Sequence, residues 1–84
     1  MISRTVTVAD PQGVHALVAH RLCQAAGEFS SSIWIMASGR RCSLVNPIEI
    51  LAMGMSFGSA VTVLADGLDE ADALAAVCGL LTES

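Results

Sequence analysis

The sequence predicts an α+β domain, two layers deep, with its elements in the order βαββαβα. Three observations predict it. Runs rich in β-branched residues alternate along the chain with runs whose apolar residues recur at i, i+3 and i+4. A Ser38-Gly39 pair separates two strand-like runs near the middle of the chain. The 84 residues, 54% of them apolar, suffice for one core and are too few for two, so residues 1–84 are expected to form a single domain. An interleaved order with a central hairpin suits helices stacked on one face of an antiparallel sheet.

Residues 2–8, ISRTVTV, read as the first strand, and the turn signal Asp10-Pro11-Gln12-Gly13 ends it. After His15 the run ALVAHRLCQAA sets Val18, Ala19, Leu22, Cys23 and Ala26 along one helical stripe. Gly27 is placed to end that helix, as glycine often does beyond helix ends. SIWIMA and RRCSLV form a hairpin about Ser38-Gly39, whose glycine tolerates the positive φ of a tight turn. Asn46 is a favoured cap and Pro47 a favoured first residue for a short helix running to about Met53. Residues 60–65, AVTVLA, give a fourth strand ending at Asp66-Gly67. The last segment opens with Asp69, Glu70 and Asp72, whose charge complements the dipole of a helix that carries Leu74, Val77, Cys78 and Leu81 on one face.

Composition narrows the function classes. There is no lysine; Arg4, Arg21, Arg40 and Arg41 stand against eight carboxylates, for a formal charge of −4. Nucleic acid is therefore not an expected partner, since phosphate binding draws on clustered Lys and Arg. The opening MISRTVTVAD has neither the basic region nor the apolar stretch of a secretory signal, and no apolar run approaches the roughly 18 residues that suggest a membrane span. A cytoplasmic protein without membrane insertion is expected. Cys23, Cys42 and Cys78 are odd in number and sit in apolar runs, which fits reduced core thiols better than disulfides or zinc.

Gly13-Val14-His15 before the first helix, Ser38-Gly39-Arg40 at the hairpin, and Met53-Gly54-Met55 followed by Gly58 before the last strand stand together on this element order. In that combination, over essentially the whole chain and without a gap, the sequence resembles the HPr histidine phosphocarriers. The resemblance implies an open-faced sandwich with sheet order 1-4-2-3 and three helices on one face. It also implies that His15 accepts a phosphoryl group on Nδ1 from phosphorylated enzyme I of the phosphoenolpyruvate-dependent sugar phosphotransferase system and passes it to a sugar-specific acceptor protein. Such a protein is a stoichiometric carrier with no cofactor and no metal, not a turnover enzyme.

The chemistry of the residues agrees with that role. A histidine just before a helix faces free N–H groups, here those of Ala16 and Leu17, and the positive end of the helix dipole, both suited to a phosphoryl dianion. Imidazole, with a reference pKa of about 6.5, is partly neutral and nucleophilic near neutral pH. Where the family has a small residue, an arginine and a proline after its histidine, this chain has Ala16, Leu17 and Val18. Leucine offers the phosphate no donor, and Arg21, one turn further on, is a candidate to reach back. Partner docking is implied around the first and second helices, at Leu17, His20, Pro47, Ile48 and Leu51. The basic positions that the family presents there hold Gln24, Gly27, Val45 and Glu49, so steering toward an acidic partner is weak or reversed. Asn46 replaces the serine that Gram-positive HPr proteins phosphorylate for regulation, and an amide accepts no phosphoryl group.

Several residues carry competing readings. His15 is either the acceptor or a loop histidine kept in a regulatory or protein-binding module that no longer transfers phosphoryl groups. His20 and Cys23 lie at i, i+3, yet two ligands do not make a metal site, and a surface histidine is the simpler reading. Arg40 and Arg41 read as a solvated strand end rather than an anion site. If Ile33 and Ile35 point inward, Trp34, Met36 and, on the fourth strand, Leu64 face the open side of the sheet as an apolar patch. That patch predicts a homodimer or a partner docked over Trp34.

Overall fold

The computed structural model describes residues 1–83. The elements are β1 (Ile2–Thr7), α1 (Ala16–Ala26), β2 (Ser32–Ala37), β3 (Arg40–Ser43), α2 (Pro47–Ala52), β4 (Ala60–Asp66) and α3 (Glu70–Thr82). The strands form one antiparallel sheet in the order β1-β4-β2-β3, with the helices on one face. No helix among the described residues is long and apolar enough to cross a membrane.

The register explains which side chains enter the core. Ile33 pairs with Ala65 and Ile35 with Val63, and all four are buried with Val61 on the helix side of the sheet. The helices close that layer with Ala19 and Leu22 of α1, Ile50 of α2, and Ala73, Leu74, Val77, Cys78 and Leu81 of α3. Eight of these positions have a β or helical period that the sequence displays directly: Ile33, Ile35, Val61 and Val63 at every second residue, and Leu74, Val77, Cys78 and Leu81 at helical spacing. The cysteines are free thiols; Cys78 is buried, Cys23 and Cys42 are half-buried, and burial raises the pKa of each, which disfavours the reactive thiolate.

Local signals account for the element ends. The Asn46 side chain accepts a hydrogen bond from Ile48 N at 2.9 Å, and Pro47 occupies the first turn of α2. At the β2–β3 hairpin, Ser38 (φ 52°) and Gly39 (φ 75°) take successive positive φ values, the combination of a type I′ turn that matches strand twist. Gly27 ends the first helix where the sequence places that end. It ends α1 with φ −68° in the right-handed region, its N–H bonded to Cys23 O at 3.1 Å, so the helix tightens and runs on into a further turn rather than reversing through a left-handed residue.

On the open face Trp34 pairs with Leu64 and Ser43, and Met36 with Thr62 and Arg41. The apolar patch is present but less bare than expected. The Arg41 guanidinium lies 4.8 Å from the centre of the Trp34 ring and leaves Trp34 half-buried. Arg40 donates from Nη1 to Ala52 O at 3.3 Å, tying the hairpin to the C-terminal end of α2. Both arginines are exposed, as the reading of a solvated strand end expects, and each also makes a contact there. The register sets Arg41 diagonally across from Trp34 on the same face, which brings its exposed guanidinium over the ring.

Candidate functional site

His15 is the N-cap of α1, in extended conformation (φ −88°, ψ −178°), and its carbonyl accepts the first helical bond, from Ala19 N at 2.9 Å. Helix geometry leaves the N–H groups of the first turn, including those of Ala16 and Leu17, without helical acceptors. No side chain caps them, and no acidic residue occupies that turn. The positive end of α1 is therefore open where the imidazole sits, about a third exposed at 34%.

The loop that delivers His15 is built on a close backbone approach. Gly13 has φ +71°, its N–H is bonded to Asp10 O at 2.8 Å, and the next N–H, of Val14, reaches Met55 O at 2.9 Å. A Cβ at Gly13 would stand 2.7 Å from Met55 O and 2.8 Å from Ser56 Cα, both backbone atoms. The segment after α2 is thus packed directly against the site loop, which is why glycine is required here.

Asp10 was legible only as the first residue of a turn. Its Oδ1 accepts from Gln12 N at 2.9 Å, closing an Asx turn, and its Oδ2 lies 3.2 Å from His15 Nε2. The carboxyl pKa is lowered, chiefly by the Gln12 N–H and further by His15, so Asp10 is an anion and an acceptor only. An aspartate five residues before a histidine has no periodic or motif signature. What brings the two together is the turn itself, with Asp10 at its start and His15 just beyond its end.

The other expected site residues fall into two groups. Leu17, Ile48 and Leu51 are exposed, at 52%, 73% and 39%, and Val45 and Phe57 add further exposed apolar side chains. His20 is exposed and Pro47 half-buried. Leu17 and His20 lie on α1 and Pro47, Ile48 and Leu51 on α2, two helices that pack against each other. Arg21 lines a small groove with Val18, Leu80, Glu83 and Asp10, the last of which is hydrogen-bonded to His15. No cation is paired with the imidazole among the described residues, and none of their His, Cys, Asp and Glu side chains gather in threes as a metal site would require. A groove of about 410 Å³ is bordered by Cys23, Gly27, Phe29 and Trp34 at the far end of α1 from His15.

Asp69 also departs from the sequence reading. It stands at the N-cap of α3 but makes no side-chain bond to that helix. Instead its carboxylate accepts from Ser30 N and Ser31 N, each at 2.9 Å, and from both serine hydroxyls. Dipole complementation in that first turn falls to Glu70 and Asp72.

Comparison with known proteins places this architecture. Residues 2–83 match the family model described as "PTS HPr component phosphorylation site". The phosphocarrier protein HPr of Cupriavidus necator is 31% identical over 81 residues, covering 96% of this chain and 91% of that protein. The structure superposes on HPr-C-His from Thermoanaerobacter tengcongensis with a TM-score of 0.90 at 31% identity, covering 96% of this chain and 91% of the other. An HPr dimer from the same organism matches with a TM-score of 0.73, again at 31% identity, over 95% and 92% of the two chains. With the strand order, the three helices and a histidine capping the first of them all in place, the chain belongs to the HPr family of the phosphotransferase system.

Proposed function

We propose that this protein is a phosphoryl carrier in which His15 takes a phosphoryl group on Nδ1 from enzyme I and hands it to a sugar-specific acceptor protein. The observation that carries the reading is the placement of His15 as N-cap of α1, with first-turn N–H groups left uncapped beside it. A phosphoryl dianion on the imidazole finds there both donors and the positive helix end. The protein is consumed and regenerated stoichiometrically in the cytoplasm, and no cofactor takes part.

Leu17 sets this carrier apart from relatives with an arginine after the histidine. The amides of Ala16 and Leu17 must hold the phosphoryl oxygens without a guanidinium, so the phosphorylated state is less stabilised and transfer is slower than an arginine would make it. The docking surface follows the same logic. Exposed Leu17, Ile48 and Leu51, with His20 and Pro47 beside them, suit an apolar partner surface rather than an acidic one. Association is then governed by burial and weakly by ionic strength.

A second reading, a protein-binding module that has lost transfer, is favoured by one observation: no cation is paired with His15 among the described residues. The two separate in one experiment. Incubation with phosphoenolpyruvate and a catalytic amount of enzyme I from the same organism should add one acid-labile phosphoryl group by intact mass, and His15→Ala should abolish it. Binding to enzyme I without any gain of mass would support the module instead.

A further inference from the structure

Asp10 and His15 form a pair whose geometry bears on which imidazole nitrogen reacts. Asp10 is an anion with two committed oxygens: Oδ1 accepts from Gln12 N, and Oδ2 faces His15 Nε2 at 3.2 Å. A carboxylate only accepts, so the proton of a neutral His15 belongs on Nε2, which donates to Oδ2. Nδ1 then carries the lone pair and has no hydrogen-bond partner among the described residues. The Asx turn holds the carboxylate in place, so the orientation is fixed before any partner arrives.

We infer that Asp10 is a positioning residue for phosphoryl transfer: it holds His15 in the Nε2–H form, aims Nδ1 outward as the nucleophile, and balances the positive charge that the ring acquires. The inference rests on His15 being the acceptor. In the step, the Nδ1 lone pair forms the bond to phosphorus while the bond from phosphorus to its donor atom on enzyme I breaks, and that atom keeps the electron pair. The proton on Nε2 stays where it is. The ring, neutral before the step, becomes cationic beside its phosphoryl group, and the Asp10 carboxylate lies on the side of the ring away from the phosphoryl oxygens. Onward transfer returns the electron pair to Nδ1 and restores the neutral Nε2–H ring. In a site with Leu17 where an arginine would meet the phosphate, charge is balanced from the ring side through Asp10 rather than from the phosphoryl side.

The test combines a tautomer measurement with a transfer rate. In imidazole-labelled protein, nitrogen NMR above the titration range of His15 should show the Nε2–H form dominant in the wild type and a mixture in Asp10→Ala. Phosphorylation by enzyme I should slow about 10–100-fold in Asp10→Ala, by analogy with the loss of the outer hydrogen-bond partner of a metal-bound histidine. Asp10→Asn has one oxygen where Asp10 uses two: with Oδ1 kept on the Gln12 N–H, its amide NH2 faces Nε2 and donates, so the turn and a native spectrum should persist while the ring shifts toward the Nδ1–H form and transfer slows, separating the tautomer from the fold. If wild-type protein is charged normally and Asp10→Ala shows an unchanged tautomer or an unchanged rate, the role of Asp10 is overturned and the carrier reading stands. If the wild type is never charged, the carrier reading fails and the transfer role of Asp10 fails with it.

Discussion

Asp69, at the start of α3, accepts hydrogen bonds from the backbone N–H and the hydroxyl of Ser31, 38 residues earlier in the chain, and repeats both bonds with Ser30. The contact joins the loop entering β2 to the loop leaving β4, which are also neighbouring strands. Four donors on one carboxylate favour its charged form, and the Ser31 hydroxyl is the largest contributor in lowering the pKa to about 2.

A lowered folded pKa stabilises the fold above the unfolded carboxyl pKa of about 3.9, and that stabilisation is lost as pH falls toward 2. Asp69→Asn should therefore melt at a lower temperature than the wild type at pH 5 to 7. The difference should shrink from about pH 4 downward and be nearly gone at pH 2. Calorimetry of both proteins across this range checks it; a constant difference would mean that the bonds to Ser30 and Ser31 do not depend on the charge.

Gly13→Ala tests the close approach at the site loop. The new Cβ meets two backbone atoms inside 3 Å and must also take φ +71°, so the loss should exceed the roughly 1–2 kcal/mol of a left-handed residue alone. Denaturant unfolding measures it. Relief of the clash requires moving the segment at Met55 and Ser56, so His15 phosphorylation should fall as well. Gly27→Ala is the contrasting case: right-handed φ and no neighbour nearer than 3.5 Å should leave stability unchanged or raised by up to about 1 kcal/mol.

The fold was legible because its signals are local and repeated. Alternation in SIWIMA and AVTVLA, the helical stripe after His15, and the Asn46-Pro47 start all act within a few residues, and each element appears where those signals put it. The sheet order came from resemblance, since strand sequence does not say which strand pairs with which. Of the candidate site, the position of His15 and the loss of the arginine at Leu17 were readable. Asp10 at Nε2 of the imidazole, Arg41 over Trp34 and Asp69 on Ser31 were not, because each is a polar contact fixed by a turn or a register rather than by a period. Of the three, Arg41 was recoverable by writing the hairpin register about Ser38-Gly39.

Leu17→Arg should accelerate phosphorylation of His15. A charged donor to a phosphoryl oxygen contributes roughly 1.5–3 kcal/mol, or about 10–100-fold if it acts in the transition state. Quenched-flow kinetics with limiting enzyme I checks it, with Leu17→Met as a control for the loss of the branched apolar surface. An unchanged rate would indicate that backbone amides alone already saturate the site.

Arg41 bears on self-association. The open-face patch of Trp34, Met36 and Leu64 can pair with a second copy only by displacing the guanidinium from the Trp34 ring, an interaction of about 0.5–1 kcal/mol at an exposed site. Arg41→Ala should shift Trp34 emission to longer wavelength and strengthen association in sedimentation at high micromolar concentration. Trp34→Thr in that background should reverse the gain. Equal association in all three proteins would move any dimer interface off this face.

Whether His15 Nδ1 carries the phosphoryl group can be read from phosphorus and nitrogen NMR on protein charged with phosphoenolpyruvate and enzyme I. A single acid-labile phosphohistidine is expected, with coupling to phosphorus at Nδ1 of His15, none at His20, and discharge on addition of a sugar-specific acceptor. No phosphohistidine signal under conditions where the same enzyme I charges another carrier would contradict it, as would a phosphoryl group at Nε2 or at His20.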